Sequence, residues 1–139
     1  MFRYFLVIAA LFGATGVMLG AFGAHALRDT LTPERLVTYQ TAVTYQMWHA
    51  LALLGVSLYA NTLTVRLAGQ SIDKWLRISA IGFTLGILIF SGSLYLLVLL
   101  DKSVLGAITP FGGVAMIIGW LALAVAALNW RENRGNSDE

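Results

Sequence analysis

The chain has 139 residues, 58% hydrophobic and 12% charged, and its mean hydropathy of +0.77 is far above that of a soluble domain, so the composition predicts an integral membrane protein. Nine basic and seven acidic residues give a net charge of +2, and because they lie mostly between apolar runs, we expect no nucleic-acid partner. With no cysteine, the chain offers no disulfide, thiolate metal ligand or thiol nucleophile.

The first apolar run, residues 4–26, is long enough to cross a bilayer as a helix. A cleaved signal peptide is the alternative, because Arg3 precedes the run and Ala24-His25-Ala26 imitates a cleavage site, but the run is longer than the apolar part of such peptides. Glycines line one narrow face of this helix, and we expect them to pack inside one bundle rather than between two copies: Gly13, Gly16, Gly20 and Gly23.

The second helix is predicted over residues 33–60, because Thr32, Pro33 and Glu34 form a typical helix start. Its first two turns should lie at the membrane interface. One stripe at the helical period carries Thr38, Thr41, Tyr45, Trp48, His49, Ala52, Val56 and Tyr59. Since unpaired polar groups are costly in hydrocarbon, the face with Tyr45 and His49 should turn toward other helices or a wet cavity.

Two further spanning helices are predicted over residues 76–100 and 106–129, separated by a tight turn at Asp101 and Lys102. The third helix has a small-residue face with Ser79, Gly82 and Gly86, followed by Ser91, Ser93 and Tyr95. The fourth opens near Thr109-Pro110. Residues 131–139 are predicted to form a charged, flexible tail. The sequence thus predicts an all-α fold, a single domain over residues 1–130 built as a bundle of four transmembrane helices.

The distribution of basic residues predicts the orientation of these helices. With a cytoplasmic N-terminus, the inner side carries Arg3, Arg66, Lys74, Arg77, Arg131 and Arg134, and the outer side carries Arg28, Arg35 and Lys102. Because basic residues accumulate on the cytoplasmic side, we expect both termini inside. His25 and His49 then belong to the outer half of the bundle.

The chemistry available inside the apolar runs is limited. The stretches predicted to lie at membrane depth, residues 4–26, 42–60, 78–100 and 106–129, contain no Asp, Glu, Lys or Arg, which counts against a proton-coupled pump or antiporter. His25 and His49 could bind haem or pass a proton, but their predicted depths differ, so hydrogen bonds to neighbouring groups are the preferred interpretation and no metal or cofactor is predicted. The candidate ligand-binding residues are Tyr45, His49, His25, Ser91, Ser93 and Tyr95.

Four motifs in the same order make the chain resemble the YgdD-like family of small inner-membrane proteins. They are GAFGAHAL (residues 20–27), YQTAVTYQMWHALALL (39–54), FSGSLYLL (90–97) and ITPFGGVAMIIGW (108–120). The resemblance implies a four-helix protein of the bacterial plasma (inner) membrane. It implies no activity, and so no catalytic residue is carried over.

Three functional hypotheses follow. The first is a non-enzymatic accessory or assembly factor that binds a membrane-protein partner or a second copy of itself. The second is a small transporter or a lipid-handling or small-molecule-binding protein, with a hydrated cavity beside Tyr45, His49 and Ser93. The third is a membrane oxidoreductase subunit that binds haem through His25 and His49, and it predicts a coloured protein.

Overall fold

A computed structural model describes residues 1–64 and 72–135, and all regular structure in those residues is helical. The helices form four continuous rods, because short π-helical segments join end to end with the α-helices that precede or follow them. In chain order they are α1 (Phe2–Phe22) with a π-helical end (Gly23–Leu27); α2 (Pro33–Thr64); a third rod of α3 (Ile72–Gly86), a π-helical segment (Ile87–Ser91) and α4 (Gly92–Leu99); and a 3-10 turn (Ser103–Ala107) leading into α5 (Thr109–Gly135). The predicted all-α class is confirmed.

Three of the four rods are long and apolar enough to cross a membrane. Within the described residues these are Phe2–Leu27, Ile72–Leu99 and Ser103–Asn129. The remaining rod, α2, has the length but is less apolar, because its middle turns carry Gln46 and His49. Long apolar helices whose side chains are largely exposed are typical of membrane proteins, since lipid covers them.

The rod ends differ from the predicted bounds by a few residues. The third rod begins at Ile72 rather than 76, and an ion pair between Arg77 Nε and Asp73 Oδ2 at 2.8 Å links its first two turns. The α5 helix proper begins at Thr109 rather than 106, and it continues to Gly135 because no helix breaker intervenes. Residues 136–139 of the predicted tail lie outside the described residues.

Polar contacts fix the end of the bundle where α1 leads into α2. The Thr32 hydroxyl accepts a bond from the Arg35 backbone N–H at 3.4 Å and so caps α2. The Arg35 guanidinium donates to Asp101 Oδ1 at 2.6 Å and to the Ser103 hydroxyl at 3.2 Å. Asp101 has a φ of 52°, and the Lys102 N–H bonds to the Leu97 carbonyl at 3.1 Å, which ends α4 in a left-handed turn. The start of α2 is thereby tied to the connection between α4 and α5.

Most of the predicted packing glycines lie at helix contacts. A Cβ at Gly16 would lie 2.5 Å from Met47 Sδ, and one at Gly23 would lie 2.5 Å from Tyr39 Cε1, so α1 and α2 approach closely. At Gly20 the nearest atom would be Val43 Cγ1 at 3.3 Å. Gly13 differs, because a Cβ there would meet nothing within 4 Å.

The third rod and α5 are interlocked even more tightly. A Cβ at Gly82 would lie 2.8 Å from the Ala115 carbonyl oxygen, and one at Gly119 would lie 2.8 Å from the Phe83 ring. Cβ atoms at Gly86 and Gly112 would overlap Met116 and the Phe90 backbone. The bundle therefore contains two close helix pairs, α1 with α2 and the third rod with α5, and α2 also contacts the third rod.

Candidate functional site

The buried face of α2 is rotated by about one residue from the predicted stripe. Tyr45 is 42% exposed and Trp48 is 71% exposed, whereas Gln46 is 3% exposed and His49 is 7% exposed. The apolar and small residues of the buried face are Tyr39, Ala42, Ala50, Leu53, Val56 and Ala60. Three alanines on this face let the neighbouring helices approach, and the bulky indole of Trp48 is left on the outside of the bundle.

Gln46 joins three helices through both ends of its carboxamide. Its Nε2 donates to the Phe12 carbonyl at 2.8 Å and to the Thr15 hydroxyl at 2.9 Å, both on α1. Its Oε1 accepts the Tyr95 hydroxyl of α4 at 2.8 Å. The Thr15 hydroxyl in turn donates to the Leu11 carbonyl at 2.8 Å. The hydrogen-bonding groups that this amide meets are therefore paired within the bundle.

Tyr39 forms a second link between α1 and α2. Its side chain is fully buried, and its hydroxyl donates to the Leu19 carbonyl at 2.9 Å. Its ring packs on that of Tyr95 with a centroid distance of 5.2 Å. The Tyr39 ring also occupies the space that the missing side chain of Gly23 leaves open.

His49 is held by one hydrogen bond at each ring nitrogen. Its Nδ1 lies 2.8 Å from the backbone carbonyl of Tyr45, and its Nε2 accepts the indole N–H of Trp120 at 3.2 Å. Because a carbonyl can only accept and an indole can only donate, these partners assign the neutral tautomer with the proton on Nδ1. A metal or haem iron at Nε2 would displace the Trp120 bond. The geometry favours the structural interpretation of this histidine.

Aromatic rings close the space around His49. Tyr45 stacks on Phe90 at a centroid distance of 4.5 Å and on His49 at 5.9 Å. Phe83 and Trp120 meet edge to face at 5.0 Å. The linings of the central and hairpin grooves, which open at the surface of the bundle, include none of Tyr45, His49 and Ser93. Neither groove is therefore the hydrated cavity that the transporter hypothesis predicts.

The serines of the third rod bond to neighbouring helices at the π-helical segment. Ser91 donates to the Ala42 carbonyl of α2 at 2.8 Å. Ser93 lies 2.7 Å from the Thr109 hydroxyl of α5 and donates to the Phe90 carbonyl at 3.0 Å. A π-helical turn adds a residue and so changes the direction of the side chains that follow it on the rod. In contrast, Ser79 is fully buried and its hydroxyl has no hydrogen-bond partner among the described residues.

His25 lies apart from the other candidate residues. It is exposed in the π-helical end of α1, and its side chain makes no hydrogen bond with any residue that the structure describes. His49 instead faces the third rod and α5. The structure therefore joins Tyr45 with His49, and Ser91 and Tyr95 with α2, but brings His25 to none of them. Among the side chains that the structure describes, no group of three or more His, Asp or Glu residues could hold a metal.

Two of the grooves on the surface of the bundle are each lined in part by a π-helical segment. The central groove, about 160 Å³, lies between α1 and the third rod, and the hydrogen-bonded pair of Gln46 and Tyr95 forms part of its lining. The hairpin groove, about 310 Å³, is lined by α1 and α2 alone. Residues lining the hairpin groove include Gly20, Gly23, Ala24, Gln40, Val43 and Thr44.

The hairpin groove carries polar side chains without partners inside the chain. Gln40 and Thr44 are exposed, and neither side chain makes a hydrogen bond within the described residues. Two other threonines of α2 differ, because Thr38 and Thr41 donate to the carbonyls four residues earlier at 2.9 Å each. Gln40 and Thr44 are thus free to bond to a group from outside the chain.

Sequence reasoning missed four residues that organise these sites. Gln46 and Trp120 hold the interior, and Gln40 and Thr44 line the hairpin groove. A signal for Gln46 exists, because a carboxamide in a spanning helix needs partners and lies between Ala42 and Ala50 at spacings of four. Trp120 gives no such signal, because tryptophans are also common at membrane interfaces.

Comparison with known proteins gives a consistent picture. A family model described as "Protein of unknown function (DUF423)" matches residues 19–113. A UPF0382 membrane protein of Staphylococcus epidermidis is 41% identical, covering 92% of this chain and 98% of the relative. The UPF0382 membrane protein YwdK of Bacillus subtilis is 40% identical with the same coverage. The UPF0382 inner membrane protein YgdD of Escherichia coli is 36% identical, covering 99% of this chain and 98% of the relative. No solved structure matches.

Proposed function

The chain belongs to the DUF423 family of membrane proteins, and we propose that it is a non-enzymatic member that binds a protein partner within the bilayer. The resemblance to the YgdD-like family is confirmed, and so is the multi-pass inner-membrane location, since the Escherichia coli relative is named an inner membrane protein and three rods can cross a membrane. The family carries no known activity.

The observation that supports this proposal is the contrast between paired polar groups inside the bundle and free ones on its surface. Catalysis and proton transfer need a side chain that can exchange its partner during the reaction. Both ends of Gln46 and both ring nitrogens of His49 are already bonded to other parts of the bundle. Gln40 and Thr44 remain available, and they lie where a neighbouring molecule can reach them.

We define the hairpin face as the exposed side of α1 and α2 around the hairpin groove. Four residues of each helix, at successive spacings of four, three and four, share this face: Gly13, Val17, Gly20 and Ala24 on α1, and Gln40, Thr44, Met47 and Leu51 on α2. Gln40 lies at the end of the turns predicted to be interfacial and Thr44 lies one turn deeper, and both leave hydrogen-bonding groups unpaired within the described residues. A protein surface that supplies hydrogen bonds is therefore the occupant that this face favours.

The topology in this proposal has four membrane spans with both termini in the cytoplasm. The length of α2 and its position between α1 and the third rod support it as the fourth span. Because the chain has no cysteine, single variants can report the side of the membrane. An impermeant maleimide added to intact cells should label Asp29→Cys and spare Ser137→Cys. The reverse labelling pattern would overturn the orientation.

Photocrosslinking in native membranes tests the partner. A benzoylphenylalanine at Leu51, which is 61% exposed on the hairpin face, should give one discrete protein adduct. The matched control is the same probe at Val114 of α5, which is 54% exposed away from that face. His49→Gln should keep the adduct, because His49 lies inside the bundle. Equal adducts at both positions, or none at Leu51, would contradict partner binding at this face.

The alternative function, a lipid-handling or small-molecule-binding protein, rests on the central groove. Its base is the bonded pair of Gln46 and Tyr95, so an occupant would meet mostly apolar walls such as Phe12 and Leu88. Native mass spectrometry in mild detergent would detect such an occupant. A ligand that rides with the natural chain and leaves in Leu88→Trp would favour the alternative over the proposed function.

A further inference from the structure

We propose that α4 and the 3-10 turn after it, residues 92–107, form a lid that opens and closes over the central groove, and that an ion pair made by Arg35 of α2 holds the lid closed. This movement takes place within the chain, so it is separate from the binding of a partner at the hairpin face, and neither requires the other.

Both ends of the lid lie where a helix can bend. Sharp bends in helices occur at π-helical turns and at pairs of glycine and serine. The third rod combines both, because the π-helical segment Ile87–Ser91 leads directly into Gly92 and Ser93. A Cβ at Gly92 would meet nothing within 4 Å. At the other end Thr109 begins α5, and its hydroxyl lies 2.7 Å from that of Ser93, so the two ends of the lid are held together.

The lid is not interlocked with α5 in the way that α3 is. Gly82 and Gly86 of α3 lie against the backbone of α5, which leaves no room for movement between these two helices. Beyond the bend, α4 makes few close backbone contacts with α5 and packs instead on α2 and on the 3-10 turn. Its buried residues Leu97 and Val98 form a small apolar cluster with Tyr39 of α2. The lid can therefore move while α3 stays packed on α5.

Polar contacts from α2 hold the lid closed. The Arg35 guanidinium reaches Asp101 Oδ1 at 2.6 Å and the Ser103 hydroxyl at 3.2 Å, so one side chain spans the turn of the lid. The Asp101 side chain is 84% exposed, and exposed ion pairs are weak and are screened by salt. Deeper in the bundle, Gln46 accepts the hydroxyl of Tyr95. Both contacts join the lid to α2, and both part when the lid moves away from it.

The lid supplies one wall of the central groove. Gly92 and Tyr95 line the groove from the lid, and Phe12 and Thr15 line it from α1. Gln46 also belongs to the lining and is 3% exposed in this closed arrangement. Opening of the lid would widen the groove and free the Gln46 carboxamide oxygen from Tyr95. A small movement of α4 thus decides whether a polar group inside the bundle can be reached from outside.

Thiol labelling in native membranes measures the opening. Val98→Cys places the only thiol of the chain at a side chain that is 4% exposed beneath the lid, so its reaction with N-ethylmaleimide requires opening. Adding Arg35→Gln should raise the labelling rate roughly two- to fivefold, the range expected for one exposed ion pair. High salt should also raise the rate, but not in the Arg35→Gln chain. The matched control is Arg77→Gln, which breaks the ion pair with Asp73 and should leave the rate unchanged.

Two further variants separate lid opening from unfolding. Asp101→Asn removes the same ion pair from the other side, and asparagine tolerates the left-handed φ of 52°. It should also speed labelling of Val98→Cys, and the double variant should match Arg35→Gln alone. Ser57→Cys, fully buried on α2, should stay unlabelled throughout. This pattern supports the lid. Equal gains at both thiols, an equal gain from Arg77→Gln, or a rate that neither Arg35→Gln nor salt changes would each overturn it.

Discussion

Two glutamines of α2, six positions apart, are in opposite states. Gln46 is 3% exposed and bonds to α1 and to α4 with both ends of its carboxamide. Gln40 is exposed beside the hairpin groove and bonds to nothing in the described part of the chain. The same side chain is thus fully paired at one position and unpaired within the described residues at the other. Residue type alone does not identify a binding site in a membrane helix, because the face decides the role.

Glycine substitutions should give the largest difference between interior and hairpin face. In Gly112→Ala the new Cβ would collide with the Phe90 backbone, which has no flexible end to move, so we expect a loss of about 3 kcal/mol or failure to assemble. Gly13→Ala should leave the unfolding free energy of the detergent-solubilised monomer unchanged or raise it by about 0.5–1 kcal/mol. Thermal unfolding of both variants checks this pair. Equal destabilisation would mean that Gly13 packs inside the bundle.

Replacing Gln46 should give the next largest effect. Gln46→Leu removes its bonds to Phe12 and Thr15 and leaves the Tyr95 hydroxyl without its acceptor, so we expect a loss of about 2 kcal/mol. Tyr95→Phe in the Gln46→Leu background should recover part of that loss, because it removes the orphaned hydroxyl. A Gln46→Leu chain as stable as the natural one would show that this network adds no stability.

The bond between His49 and Trp120 should contribute less. Trp120→Phe keeps an aromatic ring on α5 but removes the only donor to His49 Nε2 in the described contacts, and we expect a loss of about 1 kcal/mol. A double-mutant cycle with His49→Phe isolates the pair from the packing of the rings. Additive losses in that cycle would argue against the assigned neutral tautomer.

Replacing Gln40 should have the smallest effect on the monomer. Gln40→Leu removes no bond within the described residues, so its unfolding free energy should stay within about 0.5 kcal/mol of the natural value. Steric trapping or chemical unfolding in detergent, with Gln46→Leu run beside it, measures the contrast directly. If Gln40→Leu unfolds as easily as Gln46→Leu, the two faces of α2 do not differ in the way proposed here.

The fold was largely predictable, because apolar run length determines where helices can span a bilayer. All four rods lie close to the predicted positions, and the start of α2 at Pro33 agrees with the Thr32 cap. The rotation of α2 was not predicted correctly. The predicted stripe was centred on Tyr45 and His49, whereas small residues and Gln46 mark the side that packs. Counting small residues on each face would have been the better guide.

The interior contacts of the third rod were harder to foresee. A helical wheel assumes a constant 100° per residue, and the π-helical segment Ile87–Ser91 breaks that assumption. Nothing in the sequence of this segment distinguishes it from an α-helix. Ser91 and Ser93 could be named as polar groups needing partners, but their bonds to α2 and α5 depend on the segment.

The position of Gln46 also sets an order for assembly during synthesis. Its partners on α1 are made before it, whereas Tyr95 follows it by 49 residues. In the proposed four-span topology, the carboxamide can bond to Phe12 and Thr15 as soon as α2 enters the bilayer, which would favour insertion of α1 and α2 as a pair. The Oε1 atom of Gln46 gains its partner only after the third rod has been made. Its position favours the rotation of that rod that brings the Tyr95 hydroxyl within hydrogen-bonding distance. One buried amide thus first links α1 to α2 and later orients the third rod.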